Sequence, residues 1–211
     1  MIKTAIKIIL VISVVLLAYK FLKDDSNRPY ESSFLYKLNA NEKSKLQSGD
    51  IILRRGYGLV STMILKMMNE DYDVTHLGMV VRQNDTLKIA HALSSSVSNQ
   101  DGLRLQAIDS FVHNSHNRTI LVTRLKNIDS VKQEKIVNQI GYYYKKQLPF
   151  DHSFNYKDST EHYCSELIWR IYEHNLKILK VSDTLTDVQK YNTLKTFYDP
   201  NYFDIIINHQ E

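Results

Sequence analysis

The chain has 211 residues, with 27 basic against 23 acidic side chains and a formal charge of +4. The two signs are interspersed, with no basic run and no nucleic-acid motif, which excludes the electrostatic footprint of a nucleic-acid binder. One cysteine excludes an internal disulfide, so packing rather than a covalent staple must hold the fold.

The first segment, residues 1–23, reads as a signal anchor or signal peptide. Lys3 and Lys7 precede the apolar run from Ile8 to Tyr19, and Lys20 and Lys23 follow it. The run has the length of a signal h-region, but no small-x-small cleavage site follows. With the lysines snorkelling, Thr4 to Phe21 is just long enough to span a bilayer. An uncleaved anchor is therefore expected, with the domain exported to the cell envelope. Residues 24–45 are polar and read as a linker, with a short helical turn around Ser33 to Leu38. Residues 46–211 are expected to form one domain. The roughly 180 residues that follow the apolar run are enough for a sizeable core.

Within that domain, Gly49-Asp50 followed by Ile51-Ile52-Leu53-Arg54 predicts a turn and a buried strand. Leu59 to Met68 has helical spacing, and its methionines suit a core or a pliable pocket wall. Val74 to Arg82 and Thr86 to Leu93 predict two strands joined through Asn84-Asp85. Side chains alternate along a strand, so a two- or four-residue loop puts His76 and His91 on one face. With two residues, His76 opposes Leu93 and lies diagonal to His91. With four, the histidines face directly, and a three-residue loop would separate them unless a bulge intervened. Ala90 and Ala92 leave room around His91.

Ser94 to Asn99 predicts a flexible rim, and Gly102 to Val112 a short helix. His113 and His116 are expected in an exposed loop. Thr119 to Leu125 predicts a strand. Asp129 to Gln147 predicts an amphipathic helix capped by Asp129 or Ser130. Leu148 to Asp158 reads as a loop, and Phe203 to Ile207 as a late apolar run suited to an edge strand or to wrapping the domain.

Between these lies Glu161-His162-Tyr163-Cys164-Ser165-Glu166-Leu167-Ile168, which contains the sole cysteine. Asp158, Ser159 and Thr160 each suit a helix cap. Cys164, Leu167, Ile168 and Ile171 recur at i, i+3, i+4 and i+7, the inward face of a helix. A lone cysteine on such a face is usually a small buried hydrophobe. At a helix start, however, free N–H groups and the helix dipole stabilise a thiolate. A thiol nucleophile needs a base and a group to orient that base. His76 and His91 supply both types, although a single buried or surface histidine is commonly structural.

The words Gly49-Asp50-Ile51-Ile52-Leu53, Thr75-His76-Leu77-Gly78-Met79-Val80 and Tyr163-Cys164-Ser165-Glu166-Leu167-Ile168, in this order, resemble the permuted papain-fold hydrolases of the YiiX/YebB-like branch of the NlpC superfamily. Lecithin:retinol acyltransferase-type enzymes are more distant relatives. The resemblance covers roughly Leu46 to Tyr172. It implies an α+β, circularly permuted papain-like fold, an antiparallel sheet packed against helices. It also implies Cys164 as nucleophile and His76 as base, with His91 at the orienting position, where many permuted members carry an acidic residue. The expected reaction is acyl transfer without a cofactor or metal, with backbone N–H at the helix start as oxyanion donor. Tyr163 is either a second donor or a packing residue. Glu166 points off the apolar face and reads as structural or rim-polar.

Four functions remain open at this stage. The first is a cysteine hydrolase of envelope amides, most simply peptidoglycan peptides. The second is an acyl-lipid hydrolase or acyltransferase, favoured by the anchor and the methionine-rich helix. The third is a zinc-binding module using His76, His91 and Cys164, although no close-spaced ligand pair supports it. The fourth is an inactive binding domain of the same fold.

Overall fold

The computed structural model describes residues 36–181, 186, 190–191 and 193–211. The expected N-terminal anchor and most of the expected linker lie outside these residues. No helix among the described residues is long and apolar enough to cross a membrane.

The folded body begins earlier than expected. Asn39 caps α1 (Ala40–Lys45) through a capping box with Glu42, and Leu38 and Leu46 on either side are buried. The Tyr36 hydroxyl accepts from the Ile120 N–H and contacts Nδ1 of His209 at 2.9 Å. Residues 36–45, read as the end of a linker, are thus packed onto the domain.

The centre is a six-stranded sheet in the order β4-β3-β2-β1-β5-β6. Its strands are β1 (Ile51–Arg54), β2 (His76–Gln83), β3 (Thr86–Leu93), β4 (Gly102–Ala107), β5 (Leu121–Leu125) and β6 (Phe203–Asn208). All neighbours run antiparallel. Its central strands read as nearly unbroken apolar runs because both faces are covered. Ile51, Leu53, Leu77, Met79 and Leu121 enter one core with Leu167, Ile168, Trp169 and Ile171. Ile52, Val80, Ile89 and Val122 enter a second, with Leu38, Phe111 and Val112. The late apolar run forms β6, an edge strand, rather than wrapping the domain.

The helices are α2 (Leu59–Met68), α3 (Ile108–His113), α4 (Ser130–Lys146) and α5 (Cys164–Trp169), which continues as a π-helical turn, Arg170–Asn175. Asp129 caps α4, accepting from the Lys132 N–H at 2.8 Å. Two expectations need correcting. Gly102 to Val112 holds β4 as well as α3, because Gly102–Ala107 pairs along β3. The methionine-rich α2 joins the core only through Met68, which packs against the first cluster. Its buried residue is Ser61, whereas Met63 and Met67 are 49% and 79% exposed. The Ser61 hydroxyl holds the helix to Thr75, beside His76, at 2.6 Å.

Candidate active site

The hairpin sets the histidines. β2 pairs with β3 through Gln83↔Thr86 to Met79↔Ala90, with Asn84-Asp85 as the two-residue loop. Asn84 takes φ 53°, a left-handed conformation that asparagine tolerates and tight hairpins demand. This is the register that places His76 diagonal to His91, and Nε2 of His76 lies 2.9 Å from Nδ1 of His91. The rings meet edge to face at 5.1 Å, and both also contact Phe111.

Phe111 belongs to the second core, whereas Cys164 packs with α5 against the first. The thiol and the imidazoles therefore approach from opposite faces of the sheet. The β2–β3 ladder ends at Met79↔Ala90 although both strands continue. Beyond that end the Leu77 N–H is turned to the Cys164 sulfur, together with the N–H groups of Cys164 and Ser165. Cys164 thus sits against the backbone of the residue that follows His76. Nε2 of His76 is engaged by His91, and among the described residues no hydrogen bond joins His76 to the thiol.

Tyr163, not Asp158, Ser159 or Thr160, caps α5, so Cys164 is the first residue of the helix. The turn ahead of it is fixed by a buried carboxylate. Glu166, 1% exposed, accepts from Arg170 Nε at 3.3 Å and Nη2 at 3.1 Å. Its second oxygen takes the Tyr163 N–H at 3.4 Å. Arg170 also donates to the carbonyls of Tyr156 and Asp158. Glu166 is therefore structural and inside, not on a rim. Tyr163 is 4% exposed, and its hydroxyl donates to the Tyr191 carbonyl at 3.3 Å. That geometry corresponds to the packing role.

Electrostatics set the resting protonation. Burial raises the Cys164 thiol above its ordinary value, outweighing the N–H groups of Leu77, Ser165 and Cys164 that favour the thiolate. Burial likewise pushes His76 well below the usual imidazole range, reinforced by His91 and Arg54. His91 is lowered to about 3 by burial, Arg54 and Arg104. Desolvation outweighs what a few dipoles return, which shifts the site toward the thiol and the neutral imidazoles.

Residues that sequence reasoning missed surround this set. Arg54 ends β1, stacks on Phe111 with its Cζ 4.3 Å from the ring centroid, and donates to the Phe111 and Asn114 carbonyls. Burial lowers it to about 10, which keeps it charged beside the imidazoles. A charge closing a buried strand was the available signal. Gly78 gives His91 its space. Asp101 ties the two rim loops, accepting from the N–H of Ser95 at 2.7 Å and of Phe150 at 2.8 Å. A cleft of about 530 Å³ runs beside β4, lined by residues including Asp101, Arg104, Gln106 and Tyr144. Neither Cys164 nor His76 lines it, so it is not itself the reaction centre.

Among the described residues no group of three or more His, Cys, Asp or Glu could hold a metal ion. His76 Nε2 and His91 Nδ1 face each other rather than a shared point, so these residues do not fit a metal centre.

No curated protein matches the chain. Among solved structures it is similar to the crystal structure of metalloprotein YiiX from Escherichia coli O157:H7. The match has a TM-score of 0.56 and 21% sequence identity, covering 76% of this chain and 89% of that one. At that identity the likeness shows the fold, which is the permuted papain-like arrangement. The family model of permuted papain-like amidase enzymes, YaeF/YiiX, matches residues 45–198. With this fold and a cysteine at the start of the helix behind the histidine hairpin, the chain belongs to the YaeF/YiiX (C92) family of permuted papain-like amidases, cysteine-type hydrolases.

Proposed function

We propose that the chain hydrolyses amide bonds of peptidoglycan peptides at the cell envelope through a thioester on Cys164. The observation that carries this reading is the pair of imidazoles, half-buried His76 and buried His91 with 2.9 Å between Nε2 and Nδ1, beside the sole cysteine at a helix start. His76 is the base. With Nε2 engaged by His91, Nδ1 is the nitrogen left for the thiol proton. As Sγ attacks the carbonyl carbon, that proton passes to His76, and helix-start N–H groups receive the oxyanion. Collapse expels the amine, which takes the proton from His76. Water then attacks the thioester, giving its proton to His76 and releasing the acid and the thiol. His91 orients His76. The apolar run from Ile8 to Tyr19 holds the domain at the membrane.

The test incubates the full chain with peptidoglycan peptide fragments and measures released amine for wild type, Cys164→Ala and His76→Ala. Wild type turns over and both variants lose activity by about a thousandfold or more. Turnover that survives Cys164→Ala sinks the reading. A second reading, acyl-lipid hydrolysis, draws on the exposed apolar residues Leu59, Val60, Met63 and Met67 of α2. Release of fatty acid from phospholipid vesicles, with none of amine from peptides, selects it.

A further inference from the structure

His91 is fully buried, and its Nε2 has no hydrogen-bond partner within the usual limits. A neutral imidazole carries one N–H and one lone pair, so Nε2 holds either an unaccepted proton or an unused lone pair. Both are costly in a dry interior. Two side chains of β4 share its face. Arg104 pairs directly across, and Gln106, paired with Ile89, is the next residue on that face. Arg104 can only donate. Its Nη2 reaches the Gln100 carbonyl at 2.6 Å, and its Nε is buried without a partner. Gln106 offers an amide oxygen.

We propose that Gln106 is the positioning residue at the end of the relay, its amide oxygen accepting the Nε2 proton of His91 and so deciding which nitrogen of His76 is basic. The inference rests on the reading of His76 as the base. With the proton on Nε2, His91 Nδ1 is a lone pair and accepts from His76 Nε2 across the 2.9 Å contact. His76 Nδ1 is then the lone pair that takes the thiol proton. In the reverse arrangement Arg104 Nε–H donates to His91 Nε2, His91 Nδ1–H donates to His76 Nε2, and His76 Nδ1 carries a proton. That tautomer cannot act as a base. Among the groups around His91, burial, Arg54 and Arg104 disfavour its charged form, and Gln106 favours it, as an accepting oxygen would. Gln106 also lines the cleft beside β4, so the far end of the relay borders solvent.

The test labels histidine with ¹⁵N in the full chain and reads both tautomers from long-range ¹H–¹⁵N correlations at neutral pH. The expected result is N–H on Nε2 of both rings. A proton on Nδ1 of His91 overturns the proposal. Gln106→Met, similar in shape and a poor acceptor, is expected to mix the tautomers and lower kcat about tenfold with KM within about twofold. Gln106→Glu, which restores the acceptor, is expected to keep the wild-type tautomer and to move the acid limb of the rate profile to higher pH. An unchanged His91 tautomer in Gln106→Met also overturns the proposal. The tautomer signal needs no substrate, so it fails or succeeds separately from the amidase reading, which Cys164→Ala decides.

Discussion

Gly78 lies against His91 so closely that a Cβ on Gly78 would stand 3.0 Å from the His91 Cβ and 2.5 Å from the Ile89 Cγ2. The close approach of β3 leaves no room for a Cβ at this point, so the His76–His91 contact is made over a glycine. Gly78→Ala is therefore expected to destabilise the fold by about 2 kcal/mol. It should also cost more activity than the stability loss explains, since the methyl pushes His91 off His76. Thermal unfolding and kcat on the same preparation check this. A variant that unfolds early yet keeps full turnover when folded contradicts it.

The buried His91 makes stability pH-dependent. Its folded value is about 3, below an unfolded value near 6.5. The unfolded chain therefore binds the proton first, and stability is full above about pH 6.5 and falls as the pH drops toward 3. From His91 alone the loss between pH 6.5 and pH 5 is about 2 kcal/mol. His76 adds in the same direction. Urea unfolding at both pH values, in wild type and His91→Gln, isolates the slope. Equal slopes would remove His91 as its source.

Cys164 should alkylate slowly near neutrality. Burial holds the thiol above its ordinary value of 9.0, so the iodoacetamide rate is expected to keep climbing past pH 9. His76→Ala should leave this curve nearly unchanged while abolishing turnover, because the resting imidazole is neutral. A plateau reached below pH 7 would mean a thiolate–imidazolium pair instead.

Asp50 is 1% exposed and holds Arg124 through both oxygens, at 2.7 and 2.8 Å. It also accepts the Gln47 N–H at 2.8 Å. Asp50→Ala is expected to cost about 3 kcal/mol, as removal of one partner from a buried pair does. The Asp50 side chain makes no hydrogen bond with the relay, so the ¹⁵N signals of His76 and His91 should stay in place. Denaturant unfolding and those signals measure the two effects separately.

Asp101→Ala releases both rim loops at once, since the same carboxylate takes the Ser95 and Phe150 N–H groups. KM is expected to rise several-fold with kcat little changed, and limited proteolysis should cut first in 94–101 or 148–158. A fall in kcat alone would place Asp101 in the chemistry.

Much of this site was legible in the sequence, for a local reason. Strand alternation put His76 and His91 on one face for two of the three simple loop lengths around Asn84-Asp85, and the structure takes the two-residue one. Helical spacing likewise placed Cys164 at the start of an inward-facing turn. The cap at Asp129 and the edge strand at Phe203–Asn208 follow from the same short-range geometry. Periodicity is a property of the chain itself, set by the 3.6- and 2-residue repeats of its backbone. The tertiary structure alone decided the rest. It turned Gly102–Ala107 into β4, ended the β2–β3 ladder at Met79↔Ala90 and left Met63 and Met67 of α2 outside. It also brought Arg54 and Arg104 to the imidazoles and shifted thiol and imidazoles toward their neutral forms. These outcomes depend on desolvation and on encounters between segments far apart in sequence, and neither quantity exists until the chain has closed around the site.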